Sequence, residues 1–169
     1  MYRRVCAIDA GYRNFAWCVV DSNNWREPLI WRNEEIWRHD FKPNNCDIVD
    51  ATVRWCRANK AVLDNCDEIV LEQQMRDRFL VMNAVIHALF FGKVTYVWPV
   101  TIGNYYQLAK KRAAKKVGGI QFAKGCGVLF PVGDKLDDYA DAWLMATWKL
   151  FDGGAGDPRF RTANTTNAC

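Results

Sequence analysis

Residues 5–21 set the frame for the chain. Val5-Cys6-Ala7-Ile8 is an unbroken apolar run of the kind found in a strand buried on both faces. Phe15-Ala16-Trp17-Cys18-Val19-Val20 is a second run, rich in aromatic and β-branched residues. Gly11 and Asn14 between them tolerate turn geometry, so the two runs read as a tightly connected strand pair. Asp9 ends the first run, and a carboxylate at the end of a buried strand is costly unless something offsets its charge. A metal ion offsets it, and so does an Asp that hydrogen-bonds its own turn; this stretch alone leaves both readings open.

At 169 residues the chain is long enough for one domain with a sizeable core, and half of it is apolar, with eight tryptophans. Disorder is therefore excluded as its general state. The net charge of +4 is too small to announce a polyanionic partner by itself, so that argument rests on local clusters. The seven cysteines (6, 18, 46, 56, 66, 126 and 169) contain no CxxC pair. That favours free thiols in a reducing compartment over a disulfide framework or a zinc site. The N-terminus shows no secretory apolar region, and no apolar run reaches the ~20 residues of a membrane span. The expectation is a soluble, intracellular protein without a membrane partner.

Along the chain, residues 29–31 and 36–37 read as parts of a third strand interrupted over 32–35, completing an antiparallel meander. Asp47 is placed to cap a helix over 47–63. Ile69-Val70-Leu71 is a buried strand leading into Glu72. Residues 79–91 form a helix apolar on nearly all sides, with Gly92 as its stop. Residues 94–98 are a fifth strand and 102–117 a basic helix ended by Gly118-Gly119. Residues 121–132 read as a loop and 134–151 as the last helix. The order βββαβαβαα gives an α/β domain, a mixed five-stranded sheet flanked by helices, over 1–151. Residues 152–169 read as a flexible C-terminal tail.

Two further acidic sites repeat the oddity of Asp9. Glu72 closes a buried strand. In Asp137-Asp138-Tyr139-Ala140-Asp141, spacings of three and four bring like charges together on one helix face, which is destabilising unless compensated. Taken singly, each acid is an ordinary cap or solvated residue. Taken together, Asp9, Glu72, Asp138 and Asp141 can meet on a small α/β domain, where they could not all ionise without a cation. All-oxygen ligands select Mg²⁺ or Mn²⁺, and two such ions would serve an in-line phosphoryl displacement.

Ile8-Asp9-Ala10-Gly11 with Asn14-Phe15-Ala16, then Leu71-Glu72-Gln73-Gln74, then Lys135-Leu136-Asp137-Asp138-Tyr139-Ala140-Asp141-Ala142 resembles the Holliday junction resolvases of poxviruses and other large DNA viruses. These are similar to RuvC and share the RNase H-like fold. The resemblance runs from Val5 to about Trp148, and Ile86-His87-Ala88-Leu89-Phe90 also looks like the family's. It implies a homodimeric, Mg²⁺-dependent endonuclease making paired symmetric nicks in four-way DNA junctions. By position it implies Asp9, Glu72, Asp138 and Asp141 as catalytic metal ligands for two ions, with Asp137 close behind them. If the chain is viral, it would act in the host cytoplasm or nucleus at sites of viral DNA replication. The alternative is another RNase H-like nuclease, acting on flaps or RNA–DNA hybrids.

Lys110, Lys111, Arg112, Lys115 and Lys116 form a basic run, normally a solvated face, that suits phosphate beside a nuclease centre. Tyr105 and Tyr106 are candidates to stack on an unpaired base, and Arg76 and Arg78 to touch phosphate. Lys110 or Lys111 is the candidate to stabilise charge in the transition state. His39 and His87 have no metal-binding partner at ligand spacing and read as structural. The all-round apolar helix is the expected dimer interface, with Phe79, Met82, Ile86 and Phe90 as contacts.

Overall fold

The computed structural model describes residues 2–11, 14–36, 43–75, 77–133 and 135–151. Trp37, His39, Arg76 and the tail over 152–169 lie outside the described residues. Five strands form one sheet: β1 (Arg4–Ala10), β2 (Phe15–Asp21), β3 (Ile30–Glu34), β4 (Glu68–Glu72) and β5 (Val94–Val97). Among the described residues six helices accompany them: α1 (Asn45–Ala58), α2 (Lys60–Asp64), α3 (Asp77–Leu89), α4 (Pro99–Tyr105), α5 (Arg112–Gly125) and α6 (Leu136–Leu150). The strand order is β3-β2-β1-β4-β5, with β3, β2 and β1 antiparallel and β4 and β5 added in parallel.

Strand parity explains why the central runs are apolar without alternation. Val5 and Ala7 on β1, Ala16, Cys18 and Val20 on β2, and Val70 on β4 face a core completed by α4, α5 and α6. Cys6, Ile8, Phe15, Trp17, Val19, Ile69 and Leu71 face the other core, under α1 and α3. Each face buries one large indole completely, Trp143 on the first and Trp17 on the second. Truncating a buried Trp of this kind costs about 3–5 kcal/mol. Cys6 and Cys18 in the apolar strand runs and Cys56 on α1 are buried free thiols. Among the described residues no helix is long and apolar enough to cross a membrane.

Gly11 follows β1, and a Cβ there would collide with the Asn14 carbonyl oxygen, so the position takes only glycine.

Several boundaries differ from the sequence reading. β3 runs unbroken through Arg32, Asn33 and Glu34 at the edge of the sheet: Arg32 is exposed, while the half-buried Asn33 and Glu34 find polar partners in Asp138 and the Trp55 indole. The N-cap of α1 is Asn44. Its side chain accepts from the Asp47 N–H at 3.0 Å, and Asp47 Oδ2 accepts from the Asn44 N–H at 2.9 Å, so Asp47 is the reciprocal member of a capping box. The helix expected to reach 63 stops at Asn59, whose side-chain amide donates to the Trp55 carbonyl at 3.0 Å and competes with the helical ladder.

The expected basic helix over 102–117 is two helices. Leu108 N–H donates to Gly103 O at 2.8 Å and Gln107 N–H to Asn104 O at 3.2 Å, with Gln107 at φ 55. This Schellman stop uses glutamine where glycine is usual, so nothing in the local sequence marks it. Gly118 and Gly119 sit inside α5 and do not end it. A Cβ at Gly119 would lie 3.2 Å from Leu144 Cδ1, so this glycine lets α5 approach α6 closely. The helix ends at a second Schellman turn with Gly127 at φ 83, inside the stretch expected to be a loop.

The four expected dimer contacts on α3 are also corrected. Phe79, Met82, Ile86 and Phe90 are buried within one chain, packed with Ile48, Trp55 and Leu71. The helix reads as apolar all round because Leu80, Leu89 and the following Phe91 lie on its outward side.

Candidate active site

The same parity that builds the two cores aims the acids. Asp9 falls on the face of β1 that carries Val5 and Ala7, and Glu72 on the face of β4 that carries Val70. Both therefore point to the side covered by α6. The parallel register pairs Ile8 with Leu71, so one further step sets Asp9 beside Glu72 at the strand ends. On α6, Asp138 and Asp141 lie about one turn apart, and the helix packs on β1 and β2.

These carboxyls titrate abnormally because protein surrounds them. Asp9 keeps a partial opening to solvent but is crowded on most sides. Burial first, then the charges of Glu72, Asp141 and Asp138, holds its carboxyl well above the usual range, and it shares a hydrogen bond with Glu72. Glu72 is raised by burial and by Asp141, against the pull of Lys115 and Arg112. Asp141 is pushed up to about 6 by burial; Lys115 and Lys116 oppose this, and Asp137 and Asp138 add to it. Asp138 is raised by burial and by Asp137.

Uncharged amides brace the cluster. Gln74 Nε2 donates to Glu72 Oε2, and Asn33 Nδ2 donates to Asp138 Oδ2 at 3.5 Å.

The donor set fits a hard divalent cation in kind, being four carboxylates kept close at a cost in repulsion. As placed, no three acidic, His or Cys side chains among the described residues converge tightly enough to hold an ion together. Burial and like-charge crowding work against the Asp9 and Glu72 anions, and a bound cation would relieve both. The residues that would hold it are Asp9 and Glu72 with Asp141 and Asp138.

Three of the five residues of the basic run, Arg112, Lys115 and Lys116, act on the acids; Lys110 and Lys111, the candidates for stabilising charge in the transition state, do not figure among them. Lys110 and Lys111 are exposed on the α4–α5 connection, Lys111 as the N-cap of α5. Lys115, Lys116 and Arg112 lie on α5, which packs on α6, and act on the acids. Lys116 is paired with Asp137 and lies 3.8 Å from Asp138 Oδ1. Burial works against the Asp137 anion, but this pairing outweighs it and holds that carboxyl below its ordinary range. Lys115 Nζ donates to the Pro99 carbonyl at 2.9 Å, which ties α5 to the start of α4.

Tyr106 is no stacking platform. It is buried, and its hydroxyl donates to the Leu144 carbonyl at 3.1 Å and lies 2.8 Å from Thr147 Oγ1, anchoring α4 to α6. Tyr105 is half-buried, with its ring edge-on to Tyr106 at 4.7 Å. Arg78 is half-buried in the first turn of α3. His87 stacks on Tyr96 at 5.6 Å. The sequence reading passed over Asn33, Gln74 and Asn83. The last left a signal, as a lone amide among the apolar residues of α3.

Solved structures with this architecture include the fowlpox virus resolvase in complex with its substrate Holliday junction DNA. Its TM-score is 0.62 at 16% identity, covering 88% of this chain and 97% of that one. Thermus thermophilus RuvC gives a TM-score of 0.58 at 13% identity, covering 89% and 96%. RuvC in complex with a Holliday junction substrate gives 0.57 at 16% identity, covering 90% and 98%. The fold is thus the RuvC-like form of the RNase H-like fold, as the motifs implied. No curated protein sequence matches the chain significantly. The family described as Poxvirus A22 protein matches residues 3–152, a span holding every strand and helix of the domain, and the chain belongs to that family.

Proposed function

We propose that this chain is a Holliday junction resolvase, a divalent-metal-dependent endonuclease that nicks four-way DNA junctions as a homodimer. The observation that carries this reading is the gathering of Asp9, Glu72, Asp138 and Asp141 on the α6 side of the sheet, with Lys115, Lys116 and Arg112 against them. Membership of the poxvirus family supports it, as do the substrates of the fowlpox resolvase and RuvC in their complexes. Mg²⁺ bound by the four carboxylates would activate water and stabilise the attacking and leaving oxygens of an in-line displacement at phosphorus. The chain's own residues do the rest. Burial keeps the carboxylates poorly hydrated, so they gain by binding a cation. Lys115 and Arg112 offset negative charge at the centre, and exposed Lys110 and Lys111 are placed to meet the DNA backbone.

One chain carries one acid cluster and cuts one strand, whereas resolution takes two symmetric cuts, which a two-fold dimer provides. With Phe79, Met82, Ile86 and Phe90 buried, the α3 side chains left for such a contact are Leu80, Leu89 and the adjoining Phe91.

The test is a labelled four-way junction, with and without Mg²⁺, alongside an RNA–DNA hybrid. Asp9→Asn, Glu72→Gln, Asp138→Asn and Asp141→Asn are each expected to lower cleavage by at least a hundredfold and to leave junction binding within a few-fold. Asp137→Asn should be milder, since Asp137 is occupied by Lys116. A cruciform plasmid should yield linear product directly. Preferred cleavage of the hybrid, or nicked circles as the main product, would sink the junction and dimer readings respectively.

A further inference from the structure

We propose that Asn83 is a positioning residue for Glu72, fixing the main chain of that acid so that β4 ends with its carboxylate held against Asp9. The inference rests on the metal-dependent reading above and names a device on which that site depends. Asn83 lies on α3 at 2% exposure, and the other buried residues of the helix are Phe79, Met82 and Ile86. Its Nδ2 donates to the Glu72 main-chain carbonyl at 3.0 Å. Its Oδ1 has no hydrogen-bond partner among the described residues.

A buried amide oxygen left unpaired disfavours folding, and an apolar side chain of similar shape would avoid that cost. Packing therefore does not account for an amide at this position. What the amide supplies is the single bond to the last peptide of β4.

That bond matters because of what surrounds Glu72. Its carboxylate is pressed against Asp9 and repelled by Asp141. A strand end free to move would relieve the repulsion by turning the acid away. Two anchors prevent it: Gln73 N–H donates to Val97 O at 2.7 Å on the β5 side, and Asn83 holds the Glu72 carbonyl from α3. The helix turn is itself secured to β5, since Tyr96 Oη donates to the Asn83 carbonyl at 3.4 Å and lies 3.1 Å from His87 Nδ1. Gln74 braces the side chain directly. Strand, neighbouring strand and helix together place one carboxylate.

The experiment compares the full chain with Asn83→Leu, which removes the amide while keeping its bulk, and with Asn83→Asp, which keeps the shape and loses the donor. Three readouts are taken: the melting temperature, Mn²⁺ binding without DNA, followed by the resonance of the free ion, and the Mg²⁺ concentration giving half-maximal junction cleavage. Asn83→Leu is expected to melt within a few degrees of the parent. Its Mn²⁺ affinity should fall about 10–100-fold, with a matching rise in the Mg²⁺ requirement and cleavage recovering at high Mg²⁺. Glu72→Gln serves as the control for a lost ligand. If the parent binds Mn²⁺ and Glu72→Gln does not, while both Asn83 variants behave like the parent, the positioning role is overturned and the metal site stands. If parent and Glu72→Gln bind Mn²⁺ equally poorly, the metal-dependent reading fails and this inference with it. If neither Asn83 variant folds, the amide is structural and the proposal is wrong.

Discussion

Asp141 burdens the folded chain at neutral pH. Its carboxyl titrates at about 6 in the fold, raised by burial and by neighbouring Asp137 and Asp138 against Lys115 and Lys116. An unfolded chain would titrate it near 3.9, as free aspartate does. Between those values the folded state holds a proton that the unfolded state has released, so stability falls as pH rises through the window and the full cost is present above it. The cost is on the order of 1–3 kcal/mol. Asp141→Asn should therefore melt several degrees above the parent at pH 7.5 in chelator. The difference should vanish below about pH 4, and added Mg²⁺ should raise the parent's melting temperature more than the variant's. Thermal melts across pH check this; a variant melting below the parent at pH 7.5 would contradict it. These acids were legible in the sequence because each breaks a local rule, at the end of a buried strand or beside a like charge on a helix. Asn33 and Gln74 were not, because an uncharged amide in a polar stretch violates nothing until its partners are known; Asn83 shows only as a lone amide in an apolar helix.

The helices on the α6 side show where local sequence loses its authority. The sequence places the acids of α6 in their helix, but spreads the basic run over one helix where the structure has a break between α4 and α5. Gln107 takes the left-handed conformation that glycine usually marks, so α4 ends without a signal. Lys110 and Lys111 fall at and before the start of α5, while Lys115 and Lys116, within it, act on the acids. Gly119 carries the opposite lesson. It is a contact and not a stop, since a Cβ there would already crowd Leu144 at 3.2 Å. Gly119→Val should force α5 away from α6 and carry Lys115 and Lys116 off the acids. Expected are a stability loss of about 1–3 kcal/mol by denaturant titration and a loss of cleavage exceeding the loss of junction binding. Cleavage unchanged in a folded Gly119→Val protein would detach these lysines from the chemistry.

Over the whole molecule a net charge of +4 is modest, so DNA affinity must come from where the charge sits. Lys110 and Lys111 are exposed at the head of α5. Their joint change to Ala should weaken binding to all branched DNAs and flatten the dependence of log affinity on log salt by up to about two. A slope equal to the parent's would mark them as solvated surface.

The same architecture orders the chain's assembly in time. β1 meets β2 across a short turn but meets β4 only after both α1 and α2 have been passed. The hairpin closes a small loop at little entropic cost, whereas the parallel pairing must close a far longer one. Asp9 belongs to the early pairing, Glu72 to the later one, and Asp138 and Asp141 to the last helix of the domain. Mutually repelling charges are thus brought together only when the sheet and its covering helix are otherwise complete, and a growing chain carries no assembled centre until α6 has been made.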